Sequence, residues 1–487
     1  MAIEEIRENR IQKAENLKKV GIDPYPAQCS RTHEIVEALT DFDNLENEKR
    51  DIVLAGRLMA FREHGGSTFG NIFDGTAKIQ IYFKKDVVGE KEYDEMIKIL
   101  DIGDFVEVQG FLFKTKRGEG TLEVKKYRVL TKSLLPMPEK WHGLQDVEER
   151  FRKRYLDLLF NSEVRENFIA RFKIVQKIRE IFLENGFLEV DTPILQSIYG
   201  GALANPFKTK LDILDLPLYL RIAPELYLKR LLVGGFDKVF EIGKNFRNEG
   251  MDREHNPEFS MLEAYIAYKD YNWLMNFTED LLLKLVKDVF GRYEFEYEGQ
   301  QIEFKKPFKR VEFNVLVNEY LGLDCEESSL KDFQKKADEL KLRIEKSISK
   351  GALIDELFKK AIRPKIIEPT FVINHPWEIS PLAKRIPDKP KFVQRFHLII
   401  EGTELINAFS ELNDPVDQLE RFKEQEKAHD QGEQEAHRLD EEFVEALEYG
   451  MPPAAGMGLG IDRLVALLTN SHSLRDIILF PTMKPKE

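Results

Sequence analysis

The sequence predicts an α+β protein in two parts: a small Greek-key β-barrel of OB type, then a larger domain mixing helices and strands. Three observations carry this. Between Asp51 and about Lys132 five short segments alternate apolar and polar residues and are joined by glycine-containing turns, the texture of a small closed barrel. A Pro- and turn-rich stretch, LLPMPEKWHGLQD, then reads as a linker. From Glu148 onward amphipathic helices and longer strands follow one another, and 487 residues suffice for more than one buried core.

Composition narrows the function. A net charge of -13 excludes a protein that coats nucleic acid by bulk electrostatics, but leaves room for a local basic path. No apolar run approaches the roughly 18 residues of a membrane span. MAIEEIRENR has neither the basic start nor the apolar core of an export signal, so a cytoplasmic location is expected. Cys29 and Cys325 are too few and too far apart for a disulfide framework or a thiolate metal site.

Residues 1–50 are expected to form a helical extension, with a charged, solvated helix over 1–20 stopped by Gly21 and by Pro24 and Pro26. Residues 51–135 hold DIVLAGRLMAF, STFGNIF, AKIQIYF, DFVEVQGFLF and TLEVKKYRVL as barrel strands. In AKIQIYF, strand parity puts Ile79, Ile81 and Phe83 in the core and Lys78, Gln80 and Tyr82 on the outside. A cation, an amide and a ring on one face suit unpaired bases. An ordinary barrel exterior would read the same way.

Residues 136–487 open with a helix whose Phe168, Phe172, Val175, Ile178 and Phe182 form one apolar stripe ended by Gly186. FLEVDTPIL follows as a strand; Pro193 removes a ladder donor and so belongs at a sheet edge or an interface. KVFEIGKNF, SMLEAYIAY and FHLIIEGTELINAFSEL are further strands. Much of 326–362 and 415–449 reads as charged, solvated helices, in which His429 and His437 are surface residues rather than metal ligands.

Three stretches concentrate chemistry. FRNEGMDREHNPEFSMLEAYIAY is a hairpin with a long loop; on its return strand Phe259, Met261, Glu263 and Tyr265 share a face, with Arg247, Glu249 and His255 beside it. A carboxylate and a phenol on one face suit a pocket floor better than a core. In EGTELINAFSELNDP, parity places Asn407, Phe409 and Glu411 together, an arrangement that could pack methylenes on Phe409 and hold an ammonium on Glu411. Glu404 has the opposite parity and joins them only if the strand carries a bulge. AAGMGLGIDRLVALL runs through glycines into an apolar helix bearing Arg463; its spacing and position do not match a dinucleotide fingerprint, and the glycines would let the backbone pass close to a ligand.

Together these stretches resemble the class II aminoacyl-tRNA synthetases. FLEVDTPIL looks like that class's motif 1, FRNEG with HNPEF like motif 2 and GLGIDR like motif 3, in the expected order. YPAQCSRT, WHGLQDVEERFRKRYLDLL, SPLAK at 380–384 and FSELNDP at 409–415 are most similar to the bacterial-type lysyl-tRNA synthetase family, over nearly the whole chain. The resemblance implies an antiparallel six- or seven-stranded sheet flanked by helices, an anticodon-binding role for the barrel and a homodimer formed through motif 1. It implies that ATP activates L-lysine to the adenylate with release of pyrophosphate, and that the lysine then passes to the 3′ end of tRNA(Lys).

It also implies roles. Arg247 would hold the α-phosphate and the amino-acid carboxylate, Glu249 the adenine amino group, and Phe259 and Arg463 the two adenine faces, with His255, Asn256, Glu404 and Gly460 around the nucleotide. Gly201 and Glu225 would receive the lysine α-amino group; Glu411 and Tyr265, supported by Glu263, with Asn407 and Phe409, would receive its side chain. Magnesium is the implied cofactor. Glu404 would bind it, but His397 stands where the family has a glutamate, and imidazole suits that hard cation poorly. Arg62, Phe69 and Gln80 match anticodon-contacting positions, while Lys126 stands where an acidic residue is expected. A sister enzyme for aspartate or asparagine would share the motifs but not acidic residues against its substrate's carboxylate. A paralogue that lysylates a protein would lack the barrel, and a non-catalytic RNA-binding descendant would not need Arg247, Phe259 and Arg463.

Overall fold

The computed structural model describes residues 2–138, 146–202, 204–342, 349–430 and 439–486. Residues 139–145 of the expected linker, the side chain of His429, and His437 lie outside the described residues. The chain divides into two compact units, 1–143 and 144–487. Among the described residues no helix is long and apolar enough to cross a membrane.

In the first unit, strands β1 (Ile52–His64), β2 (Ser67–Phe73), β3 (Lys78–Lys84), β4 (Phe105–Lys114) and β5 (Gly120–Thr131) close a barrel in the order β1-β2-β3-β5-β4. Alternation makes it: Ile79, Ile81 and Phe83 are buried as parity requires, with Leu54, Leu58, Ile72, Val106, Val108, Leu122 and Val124 from the other strands. The helix Glu90–Ile99 adds Tyr93 and Met96 to this core, and the Tyr93 and Thr68 hydroxyls meet at 2.6 Å. The first helix, Ile3–Lys19, is more than the solvated rod that its charge suggested. Leu17 joins the barrel core, and the buried Arg10 guanidinium donates to the carbonyls of Ser133 and Leu135 at 2.9 and 3.0 Å. Residues 1–50 are therefore packed into the barrel unit.

The second unit is built on a sheet of nine strands among the described residues. Its main path comprises β6 (Leu188–Glu189), β7 (Lys238–Phe246), β8 (Glu258–Ala267), β9 (Lys309–Glu312), β10 (Thr370–Pro376), β11 (Lys389–Ile400), β12 (Thr403–Ser410) and β13 (Ala454–Gly460), in the order β9-β10-β11-β12-β13-β8-β7-β6. The six inner strands are all antiparallel, and the short edge strands β9 and β6 run parallel to their neighbours. β11 and β12 are joined by Glu401 and Gly402, both at positive φ (47° and 63°), as a two-residue turn of the type I′ class requires.

The sheet has one apolar face. Phe240 of β7, Leu262, Ala264 and Ile266 of β8, Phe396, Leu398 and Ile400 of β11, Ile406 and Ala408 of β12 and Ala455, Met457 and Leu459 of β13 pack against the helices Ser162–Glu184, Tyr271–Phe290 and Ile461–Leu468. The residues between them in sequence face the other way, and there the polar groups gather.

Three expectations need correcting. In the helix Ser162–Glu184 the buried stripe runs through Phe168, Ile174, Ile178, Ile181 and Phe182, whereas Phe172 is 54% exposed. FLEVDTPIL is not one strand: only Leu188–Glu189 and Leu195–Gln196 pair, in different sheets. Pro193 has no N–H to donate, and the Thr192 N–H is drawn off the ladder to the Glu241 carboxylate at 3.1 Å. Finally, the helices Leu330–Glu339 and Lys350–Leu357 are not wholly solvated layers, because Phe333, Leu353, Ile354 and Leu357 build a further core with the helix Phe313–Leu321.

Candidate active site

The polar face of the sheet is organised in two rows that follow from cross-strand register. One row runs His397, Asn407, Gly458, Glu263, Glu241; the next runs Arg395, Phe409, Gly456, Tyr265, Val239. The period of two in β13 puts all three glycines of GMGLG on this face. Their missing side chains make room for neighbours: a Cβ on Gly456 would run into Glu411 Oε1 and the Tyr265 ring, and one on Gly458 into the Met261 methyl. The glycines thus bring side chains from β8 and from the end of β12 over β13, rather than baring backbone to a ligand.

Around the second row lies a buried acidic pocket. Glu225 begins the helix Glu225–Val233, Glu263 and Tyr265 project from β8, and Glu411 follows β12, held by its N–H on the Ala454 carbonyl at 2.8 Å. All four are buried, and the Tyr265 hydroxyl donates to Glu263 Oε2 at 3.1 Å. Gly201, at φ +84°, lies against Glu225, where an added Cβ would meet the Glu225 Cβ at 2.8 Å. Burial, then the neighbouring Glu225 charge, pushes the Glu263 carboxyl up to about 8. Burial, then the three carboxylates, drives the Tyr265 phenol well above its ordinary range, so it stays a donor.

A residue not picked out from the sequence sits at the centre of this pocket. Lys229 is fully buried, with Nζ 2.5 Å from both Glu225 Oε1 and Glu411 Oε2. Burial opposes its charge, but the two carboxylates outweigh burial and Lys229 titrates above the ordinary lysine range. A signal was present in ELYLKRLLV: position 229 falls on the same helical face as Leu226, Leu228 and Leu232, where a lysine stays only if it is paired.

At the other end of the polar face two arginines approach one another. Arg247 follows β7, and its guanidinium lies 5.0 Å from the centre of the Phe259 ring. Arg463, in the first turn of the helix Ile461–Leu468, donates to the Glu404 carbonyl at 3.0 Å and reaches His255 Nε2 at 3.5 Å. That turn is fixed by Asp462, which accepts the Ser260 N–H at 2.8 Å and pairs with Arg171 at 2.6 Å. Gly460 caps the same helix opposite Met261. Glu249 is exposed on the loop and accepts the Asn205 N–H at 3.4 Å. Asn256 is used within the loop, donating to the Glu258 carbonyl at 2.6 Å. A cleft of about 130 Å³ lined by Arg253, Glu298, Thr403, His472 and Arg463 opens beside this region.

The bulge needed for Glu404 exists. The pairing of β11 with β12 runs Leu398 to Ile406 and then Ile399 to Glu404, leaving Leu405 as the extra residue. Glu404 is thereby turned onto the polar face, 3.3 Å from His397 Nδ1. His397 does not fit a metal ligand. Its Nε2 lies 2.8 Å from an Arg395 N–H and must accept it, so the ring proton is on Nδ1, toward Glu404, and no lone pair remains. Burial, then Arg395, Lys359 and Arg363, hold its pKa well below the ordinary histidine value. Among the described residues no group of three or more His, Cys, Asp or Glu side chains could hold a metal ion, and beside His397 it is Glu404 that offers a hard oxygen.

On the barrel, Arg62, Phe69 and Tyr82 lie in one cross-strand row, with the Phe69 and Tyr82 rings stacked at 4.6 Å. Gln80 donates to Glu119 at 2.9 Å and accepts from the Thr121 hydroxyl at 2.9 Å. The acidic residue beside Gln80 is thus Glu119. Lys126 pairs with Gln109 past a bulge in β5, away from Gln80.

Comparisons with known proteins show the family. A family model described as tRNA synthetases class II (D, K and N) matches residues 146–484, and one described as OB-fold nucleic acid binding domain matches 52–130. A lysine–tRNA ligase of Carboxydothermus hydrogenoformans is 49% identical, over 100% of this chain and 99% of that protein. Lysine–tRNA ligases of Thermoanaerobacter sp. and Thermotoga maritima are 48% and 47% identical, over 99% and 100% of this chain and 97% of each relative.

Proposed function

The chain belongs to the class II tRNA synthetases, in their lysine–tRNA ligase branch, and from that premise we propose how its residues divide the work of charging tRNA with lysine. The observation that carries the division is the buried set Glu225, Glu263, Tyr265 and Glu411, an acidic pocket suited to a dication and hostile to aspartate. Glu225 and Gly201 receive the lysine α-amino group. Glu411 and Tyr265, with Glu263 behind the phenol, receive the ε-ammonium, and Asn407 and Phe409 flank the methylenes.

ATP lies at the arginine end. Phe259 supports one adenine face and Arg463 covers the other, with Glu249 on the adenine amino group and His255, Asn256 and Gly460 around the nucleotide. Arg247 binds both the substrate carboxylate and the α-phosphate, and so brings the attacking oxygen in line with phosphorus. Pyrophosphate leaves, and the terminal ribose hydroxyl of the tRNA then attacks the carbonyl of the adenylate, releasing AMP. No side chain forms a covalent bond. The rate comes from positioning and from fixed positive charge facing charge that develops on the phosphate. Magnesium, when bound, offsets the charge of the triphosphate; Glu404 would hold it, and His397 would not.

The barrel binds the anticodon through Arg62, Phe69 and Gln80. The domain limits follow as an N-terminal extension over 1–50, an anticodon-binding barrel over 51–135 and a catalytic domain over 136–487. The catalytic unit pairs as a homodimer through its motif 1 segment, where Leu188, Ile194 and Leu195 expose apolar surface. The enzyme works in the cytoplasm.

Pyrophosphate exchange into ATP, run without tRNA, tests the division. Lysine should support exchange and aspartate and asparagine should not. Glu411→Gln should weaken lysine by about 2–5 kcal/mol while leaving ATP affinity in place. Equal loss of both affinities would overturn the pocket assignment.

A further inference from the structure

We propose that Lys229 is a positioning residue for lysine selection: its ammonium ties Glu225 to Glu411 and holds both carboxylates ionised and apart, one for each ammonium of the substrate. The inference rests on the pocket assignment above. The geometry is two contacts of 2.5 Å from one fully buried Nζ to carboxylates on different elements, one beginning a helix and one ending a strand. The Lys229 ammonium also lies over two aromatic rings, with Nζ 5.3 Å from the Phe409 centre and 5.9 Å from that of Phe443. The ammonium therefore has little freedom to leave.

Charge counting gives the reason for a lysine here. Glu225, Glu263 and Glu411 would place three negative charges in one buried pocket, and such a set sheds charge by taking up protons. Lys229 brings the total to two negative charges, which matches the two ammonium groups of free lysine. Glu411 Oε1 meanwhile has no hydrogen-bond partner, so an acceptor is left over for a ligand. The groups facing this cluster are Glu225 on the helix, Glu411 after β12, Glu263 and Tyr265 on β8 and Arg395 on β11, which acts on Glu225 at longer range. Arg221 and Arg247 act on Glu263. Burial raises Glu225 and Glu411, and Lys229 is the largest influence opposing that rise in both.

The test is pyrophosphate exchange by Lys229→Gln and Lys229→Arg against pH, beside Glu411→Gln. Lys229→Gln should raise the KM for lysine at least ~30-fold, with the KM for ATP within about 3-fold of wild type, as expected for loss of a buried partner. The acid limb of kcat/KM for lysine should move upward by about one pH unit or more. Lys229→Arg, which keeps the charge, should leave that limb in place. An unmoved acid limb, or parallel rises in both KM values, overturns the proposal. If Lys229→Gln does not fold, Lys229→Arg decides: an acid limb displaced from that of the wild type by about one pH unit or more overturns the proposal. A lysine KM unchanged in Glu411→Gln would instead remove the pocket assignment.

Discussion

Gly456 lies directly beneath the Glu411 carboxylate, so close that even a methyl group there would occupy the space of Oε1 and of the Tyr265 ring. The position of the carboxylate proposed to select the substrate therefore depends on the absence of a side chain on β13.

Gly456→Ala should consequently displace Glu411 and Tyr265 rather than unfold the sheet. Overpacking of this kind costs about 1–3 kcal/mol, so the KM for lysine should rise roughly 10- to 100-fold. The KM for ATP should hold. Steady-state exchange kinetics give both values, and circular dichroism checks the fold.

Stability should depend on pH in a way that lysine reverses. The Glu263 carboxyl titrates at about 8 in the folded protein, above its ordinary value near 4.5. The folded state therefore binds more protons than the unfolded state between those values, and this group's contribution to stability falls as pH rises through that window. Lysine binding supplies the missing cations. The lysine-induced rise in Tm should thus be larger at pH 8.5 than at pH 6.5, and an equal rise at both would contradict the ionisation assigned to Glu263.

Magnesium dependence should separate the two residues at the β12 bulge. His397 has no lone pair to give, so His397→Ala should leave half-saturating magnesium in exchange within about 3-fold, whereas Glu404→Gln, which removes a hard anionic donor, should raise it about 10-fold or more. Titration of the exchange rate with magnesium measures both.

The barrel should matter only to the second half-reaction. Phe69→Ala removes a ring stacked at 4.6 Å on Tyr82 and should cost about 1–3 kcal/mol in tRNA binding, the range for a stacked base. Exchange without tRNA should be unchanged. A defect there would mean that the substitution disturbs more than the anticodon surface.

Much of this site was legible because strands have a period of two. Parity alone grouped Glu263 with Tyr265 and Asn407 with Phe409 and Glu411, and the structure keeps those groupings. Lys229 escaped because, although Glu225 lies one turn away on its own helix, the second partner, Glu411, comes from a distant strand, and a lysine four residues from a glutamate reads as half of a solvated pair. Leu405 escaped because a bulge is a property of two strands in register, not of one sequence. FLEVDTPIL was misread for a similar reason: Glu241, 49 residues away, competes for the Thr192 N–H that a strand would have used.

The division of the sheet into an apolar face and a polar face has a consequence for how the gene can vary. In a saturation scan scored separately for protein abundance and for charging activity, β8 and β13 should give two interleaved combs. Abundance losses should fall at 262, 264 and 266 and at 455, 457 and 459, and activity losses at abundance near normal should fall on the residues between. Along β12 the two combs should exchange phase at Leu405, so that a single-residue deletion there would put a stability position where a chemical one belongs.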